Sequence, residues 1–507
     1  MSRWGAASLF GGLWLLGLWL SVIAGDSDHL MQAYAVLLCL ASLFVVGSKA
    51  IGNRKFLLSC YAVVTLVPIW FLYLEAVFTD GDAWLLPADD VIHTLAYCAL
   101  FLMVFNLAYC AKPPAGVIRF HERNFMRAVN PAFLPLLGIG LTVVTFFVVL
   151  ARYGWSWEAT KEVYLAGRIG GSGLIRRGGI GGWEVFIQPL DFMCASVPTI
   201  AALSWVRFSQ ERVAPLFLRL GVSACGAFLI FVMFLGGSRG NMAVYLAGPA
   251  AIWILFGRNA FGRIPHYAIT IVLFIGLIGI WEYQKRKRSF LLKDVESVED
   301  IVEQTSFDPT ETHRDNNLYV FTLNHIYRPN PYPFEGIKEF IYIIVNPIPR
   351  ALWPGKPKGI QESRAAFSKP TGPESKGPIT LGTASLSRTI VGDGFRMGHY
   401  WGMTIYAVIF GLLASFWDYI GQRRYLSTKL YFILNCAWMF WMLWGFRAAF
   451  AWITGMYPVL GAYVLCYVAG KFGRRIIVGA RREPERRPSL QDRPALAQGM
   501  RREQLES

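Results

Sequence analysis

Charge is scarce in this chain. Only 16% of its 507 residues are Asp, Glu, Lys or Arg, against about 25% in an ordinary soluble domain. That scarcity excludes a disordered chain, a coiled coil and a common cytosolic enzyme. Acid is the scarcer sign: 33 Asp and Glu stand against 49 Lys and Arg, for a formal net charge of +16. Cysteine is sparse too. The eight that occur lie in or beside apolar runs, so the chain has neither a CxxC metal pattern nor a disulfide framework. It has no P-loop to cradle a nucleotide and no internal repeat.

Apolar sequence is what the chain has in quantity. Hydrophobic residues make up 54% of it, and runs of about 18 or more recur, the length that crosses a bilayer as a helix. The expected fold class is an all-α polytopic membrane protein with about twelve transmembrane helices: Ala6–Ala24, Met31–Val46, Phe56–Phe78, Val91–Tyr109, Phe133–Leu150, Val185–Val206, Leu216–Leu235, Met242–Phe256, Tyr267–Trp281, Trp401–Ile420, Leu430–Trp444 and Ile453–Val468. The first run ends in a cleavage-like Val22-Ile23-Ala24, but more spans follow it, so the expectation is an uncleaved span.

The loops alternate in charge. One set carries Lys49, Arg54 and Lys55; Lys112, Arg119, Arg123 and Arg127; Arg207 and Arg212; Arg258 and Arg263; and Arg423, Arg424 and Lys429. The other carries Asp26 and Asp28, then Asp80, Asp82, Asp89 and Asp90. Cations in short loops set orientation and do not call for nucleic acid; the positive-inside rule puts both termini in the cytoplasm. Two outer loops are then long, the third at 151–184 and the fifth at 282–400. Residues 1–470 are expected to form the membrane domain, and 471–507 a basic, disordered cytoplasmic tail that faces lipid. Lys285, Arg286, Lys287 and Arg288 follow the ninth span on the outer side, against the charge rule, which makes them candidate anion contacts.

Three segments carry candidate chemistry. Gly236-Gly237-Ser238-Arg239-Gly240 closes the seventh span. It fits the GxSxG pattern, but a hydrolase elbow needs a strand-to-helix turn, and apolar helices flank this one. Arg239 is the informative residue, because an arginine at membrane depth needs an anion, water or a lipid phosphate. The second segment is Pro349-Arg350-Ala351-Leu352-Trp353-Pro354-Gly355-Lys356-Pro357. Its prolines stiffen the backbone under Arg350 and Lys356, a fork and a point charge that both suit phosphate oxygens. The alternative is an interfacial segment with ordinary basic anchors. The third, Gly392-Asp393-Gly394-Phe395-Arg396-Met397-Gly398-His399-Tyr400-Trp401-Gly402, enters the tenth span. Asp393 and His399 are its candidate general bases, Arg388 and Arg396 are additional cations, and a plain surface turn is the alternative. The DxD spacings at Asp26–Asp28 and Asp80–Asp82 read as outer-face turns. Asp191, beside Pro189 in the sixth span, would suit either an ion site or a buried partner of an arginine.

Taken together, GSRG at a span end, PRALWPGKP in a large outer loop and GDGFRMGHYWG entering a span resemble the Wzy-type O-antigen or exopolysaccharide repeat-unit polymerases. The likeness covers residues 231–416. The family often has Glu where Asp393 stands, and its Arg-x10-Gly loop spacing recurs here at Arg168–Gly179. The resemblance implies a GT-C-like bundle in the bacterial inner membrane with long periplasmic loops. It implies transfer of a glycan from undecaprenyl diphosphate to a second lipid-linked repeat unit. Arg239, Arg350 and Lys356, with Arg168 as an addition, would hold the diphosphate, and Asp393 or His399 would take the acceptor proton. It implies no cofactor, metal or nucleic acid. Its partners would be lipids, a repeat-unit flippase and a chain-length regulator. The rival readings are an O-antigen ligase, another lipid-linked glycosyltransferase, and a transporter or flippase.

Overall fold

The computed structural model describes residues 3–25, 27–51, 56, 59–78, 87–125, 130–152, 154–158, 193–206, 214–235, 245–254, 318, 321–322, 353, 389–421, 428–447 and 459–468. Among these residues the regular secondary structure is helical throughout, and seven helices are long and apolar enough to cross a membrane. The protein is therefore a polytopic membrane protein.

In chain order the helices are α1 (Arg3–Ile23), α2 (Asp28–Ala50), α3 (Cys60–Val77), α4 (Ala88–Tyr109), α5 (Ala115–Phe125), α6 (Phe133–Arg152), α7 (Val197–Trp205), α8 (Leu216–Leu235), α9 (Tyr245–Ile254), α10 (Thr389–Gly421), α11 (Thr428–Cys436) and α12 (Val459–Val468). Most of the apolar runs locate them to within a few residues where both can be compared; α11 runs on through a π-helical stretch at Ala437–Leu443 to Arg447, and α10 begins at Thr389, well ahead of the expected Trp401. The span expected at Tyr267–Trp281 lies outside the described residues, as do 159–192 and the 471–507 tail.

Local chemistry sets several boundaries. The Ser59 hydroxyl accepts from Ala62 N at 3.0 Å and caps α3, satisfying one of the donors that every helix start leaves open. Pro68 lacks an N–H inside α3, and the backbone answers with a π-helical stretch at Ile69–Tyr73. Helix α4 ends before Pro113-Pro114, and the short α5 follows. This segment belongs to a basic loop by composition, yet it folds as an amphipathic helix. His121 and Phe125 are buried on one face, and His121 Nε2 meets the Tyr463 hydroxyl of α12 at 2.7 Å.

Small residues let the long helices touch. A Cβ on Gly411 of α10 would lie 2.6 Å from Ala108 Cβ and 2.7 Å from the Phe105 carbonyl oxygen of α4. A Cβ on Gly226 of α8 would meet the Pro198 Cα of α7 at 3.2 Å. In a bilayer, where lipid tails are as apolar as the side chains, such close approach supplies much of the association energy.

Polar groups inside the bundle are paired across helices. At one end, the Asp418 carboxylate of α10 accepts from Cys60 N at 2.7 Å, Tyr61 N at 3.0 Å and the Tyr109 hydroxyl at 3.0 Å. It thus joins α10, the N-terminus of α3 and the C-terminus of α4, and the positive end of the α3 dipole favours its charge. Lys49 Nζ at the end of α2 lies 3.5 Å from the Tyr61 ring centroid, a cation–π contact strengthened by desolvation. Removing this acceptor strands buried backbone donors. Asp418→Ala should destabilise the protein by about 3 kcal/mol or more, and Asp418→Asn, which keeps one acceptor oxygen, by less. Unfolding in mixed micelles measures both, and an unchanged midpoint for Asp418→Ala would show that the carboxylate does not tie the helices.

Candidate functional site

The segment carrying Asp393 and His399 is a helical hairpin. Helix α10 breaks at Gly398 (φ −174°, ψ 34°) and His399 (φ 53°, ψ −135°). In an unbroken helix Gly394 and Gly402 would stand about 12 Å apart along the axis. Here a Cβ on Gly394 would lie 2.9 Å from Met403 Cα, and one on Gly402 would collide with the Gly394 carbonyl oxygen. The short limb 389–397 therefore folds back on the start of the long limb, and both crossing positions require glycine. The Tyr406 hydroxyl donates to Met397 Sδ across the same hairpin at 2.9 Å.

His399 pays for this turn. A positive φ with ψ near −135° suits glycine, and a bulky residue there costs on the order of 1–3 kcal/mol. Its ring packs edge-on against Phe395 with centroids 5.2 Å apart. Asp393, at 5% exposure, sits within the short limb.

Phe395 is the hub of an aromatic cluster. Tyr97 of α4 stacks on it at 5.0 Å, Tyr400 meets it edge-on at 6.2 Å, and Phe321 lies 6.1 Å away. The Tyr97 hydroxyl lies 3.1 Å from His93 Nε2 and 2.8 Å from the Tyr400 hydroxyl. Asp89 stands one turn before His93, in the first turn of α4. Close by in the fold, the buried Glu75 of α3 accepts from Leu318 N at 2.9 Å. Leu318, Phe321 and Thr322 fall in the segment 282–400, expected to be an outer loop, yet all three are buried.

Of the residues singled out in the sequence, Asp393 and His399 thus share one hairpin. Arg396 lies on its short limb, and its side chain is not among those described. Arg168, Arg239, Arg350, Lys356 and Arg388 lie outside the described residues. His93, Tyr97 and Glu75 were not singled out. Their signal is the one that holds for any membrane helix: an ionisable or hydrogen-bonding side chain inside an apolar run. The described His, Cys, Asp and Glu side chains form no group of three that could hold a metal ion.

No family model matches the chain, and no solved structure matches it.

The strained turn makes a sharp prediction. His399→Ala and His399→Gly remove the same ring contact, but only glycine relieves the backbone. The glycine variant should be the more stable by about 1 kcal/mol, the reverse of the order usual within a helix. Thermal unfolding of the two purified variants measures the difference, and the usual order would mean that His399 is not strained.

Proposed function

We propose that this protein polymerises undecaprenyl-diphosphate-linked oligosaccharide repeat units into O-antigen or exopolysaccharide at the periplasmic face of the bacterial inner membrane. On this reading the chain spans the membrane about twelve times as a GT-C-like bundle, with both termini cytoplasmic and the third and fifth outer loops long. The observation that carries the reading is the hairpin. Its sequence, GDGFRMGHYWG, is one of the three motifs that resemble the repeat-unit polymerases, and its turn is strained at one of the two expected bases. Strain of this kind clusters at functional sites.

The helix ends support the proposed orientation. Tyr400 and Asp418 are separated by about 27 Å along α10, close to the thickness of the hydrocarbon core. Lys49 lies at the Asp418 end, and basic α5 follows α4 there. Asp89 and Asp90 lie at the Tyr400 end. By the positive-inside rule the Tyr400 end faces out.

The chemistry is a substitution at an anomeric carbon. An acceptor sugar hydroxyl attacks, the C–O bond to the lipid diphosphate breaks, and negative charge grows on the leaving group. Preplaced cations stabilise that charge; Arg239, Arg350 and Lys356 are assigned to it, with Arg168, Arg388 and Arg396 as additional contacts. Asp393 or His399 takes the acceptor proton. The diphosphate donor is already activated, so the reaction needs neither ATP nor a nucleotide sugar.

Purified protein given only lipid-diphosphate repeat units should build a ladder of glycans. Arg350→Ala should lower the rate by about 10²–10³-fold, and Arg350→Lys nearly as much, because a point charge does not replace the fork. Arg286→Ala, in the basic cluster after the ninth span, should be milder. A need for nucleotide sugar, transfer only to a lipid A core acceptor, or movement of lipid across the bilayer without glycan growth would each refute the polymerase.

A further inference from the structure

We infer that His93, Tyr97 and Tyr400 form a proton relay that carries the acceptor proton from Tyr400 through the buried Tyr97 to His93, with Tyr400 as the group that touches the sugar hydroxyl. The inference rests on the reaction proposed above, keeps its donor and leaving group, and puts His93, reached through the two tyrosines, in place of Asp393 or His399 as the final proton acceptor.

Geometry comes first. The Tyr97 hydroxyl lies between two partners at hydrogen-bond distance, His93 Nε2 at 3.1 Å and the Tyr400 hydroxyl at 2.8 Å. The chain of bonds joins two helices whose residues are about three hundred positions apart. Its middle is sealed and its ends are not: Tyr97 is 1% exposed, Tyr400 is 44% exposed and His93 is half-buried. Phe395 stacks on Tyr97 and meets Tyr400 edge-on, so the hairpin that carries Asp393 and His399 also fixes the angle of the relay.

Direction follows from the donor inventory. With the His93 ring proton on Nδ1, Nε2 accepts from Tyr97, Tyr97 accepts from Tyr400, and a lone pair on the Tyr400 oxygen is left for an incoming hydroxyl. Asp393, by contrast, is almost wholly buried in the short limb.

The step balances without a further reactant. The acceptor oxygen bonds to the anomeric carbon as the bond to the lipid diphosphate breaks. The hydroxyl proton passes to the Tyr400 oxygen, the Tyr400 proton to Tyr97, and the Tyr97 proton to His93 Nε2. Both tyrosines end neutral, His93 ends as the cation and the diphosphate leaves as the anion. A strong base is not required, because the attacking hydroxyl becomes strongly acidic as its new bond forms.

The test is steady-state glycan polymerisation by the full-length protein in lipid nanodiscs, with lipid-diphosphate repeat units as the only substrate. Tyr97→Phe and Tyr400→Phe keep their rings and lose the relay; each should lower kcat by about 10²–10⁴-fold with KM within about threefold of wild type. His93→Gln is the discriminating variant. It keeps an acceptor oxygen for Tyr97 but takes no proton, so it should be as slow as Tyr97→Phe while melting like the wild type. The solvent deuterium effect should reflect several protons in flight in the wild type and a single one in Tyr97→Phe. If His93→Gln and Tyr97→Phe keep kcat within about threefold of wild type, or lose it only in step with melting temperature, the three residues are packing and the relay is wrong. If the wild type itself makes no glycan ladder, the reaction reading fails first and takes the relay with it.

Discussion

The carboxylate of Asp418 is the interaction on which the rest of the described bundle depends. A membrane interior offers no water to an open backbone donor, so each must find a partner inside the protein. The N-terminus of α3 presents such donors to the packed core, and Asp418 takes two of them together with the Tyr109 hydroxyl. Three helices thereby share one acceptor. The surrounding side chains tighten the junction: Tyr61 donates to Asn106 Oδ1, whose amide donates in turn to the Leu102 carbonyl oxygen at 2.7 Å. A network satisfied this fully resists rearrangement.

Locking one end leaves the opposite end to hold a strained turn and a chain of polar side chains. There the hairpin carries a histidine in a glycine conformation, and hydroxyls and an imidazole line up toward a half-exposed tyrosine. These features work against stability and are tolerated because the packing around them is dense. Phe395, buried among Tyr97, His399, Tyr400 and Phe321, provides it. The Leu318 amide held by Glu75 brings a piece of the 282–400 segment into the same neighbourhood. A site assembled from α3, α4, α10 and this segment draws on residues more than three hundred positions apart.

That separation explains what the sequence could and could not disclose. Span positions were legible because a bilayer demands length and apolarity, both local properties; Leu216–Leu235 and the start of α6 at Phe133 coincide with the helices observed. The amphipathic α5 was obscured by its cations, although His121 and Phe125, four residues apart, mark its buried face. The hairpin was partly legible, since Gly394, Gly398 and Gly402 are spaced for close approach and a break, but nothing local says that the chain reverses at His399. The Gly-rich segment entering the tenth span drew attention to Asp393 and His399 as its candidate bases. It could not reach His93 and Tyr97, which belong to no motif and acquire meaning only through contact with Tyr400.

The account depends most on which end of the bundle faces the periplasm, and sidedness can be measured directly. Asp89→Cys, at the Tyr400 end of α4, and Lys112→Cys, just past its other end, can be treated with a membrane-impermeant thiol reagent in intact spheroplasts and again after lysis. The account predicts labelling at position 89 in intact spheroplasts and at position 112 only after lysis. The opposite pattern would put the hairpin and its tyrosines in the cytoplasm and contradict glycan polymerisation at the periplasmic face.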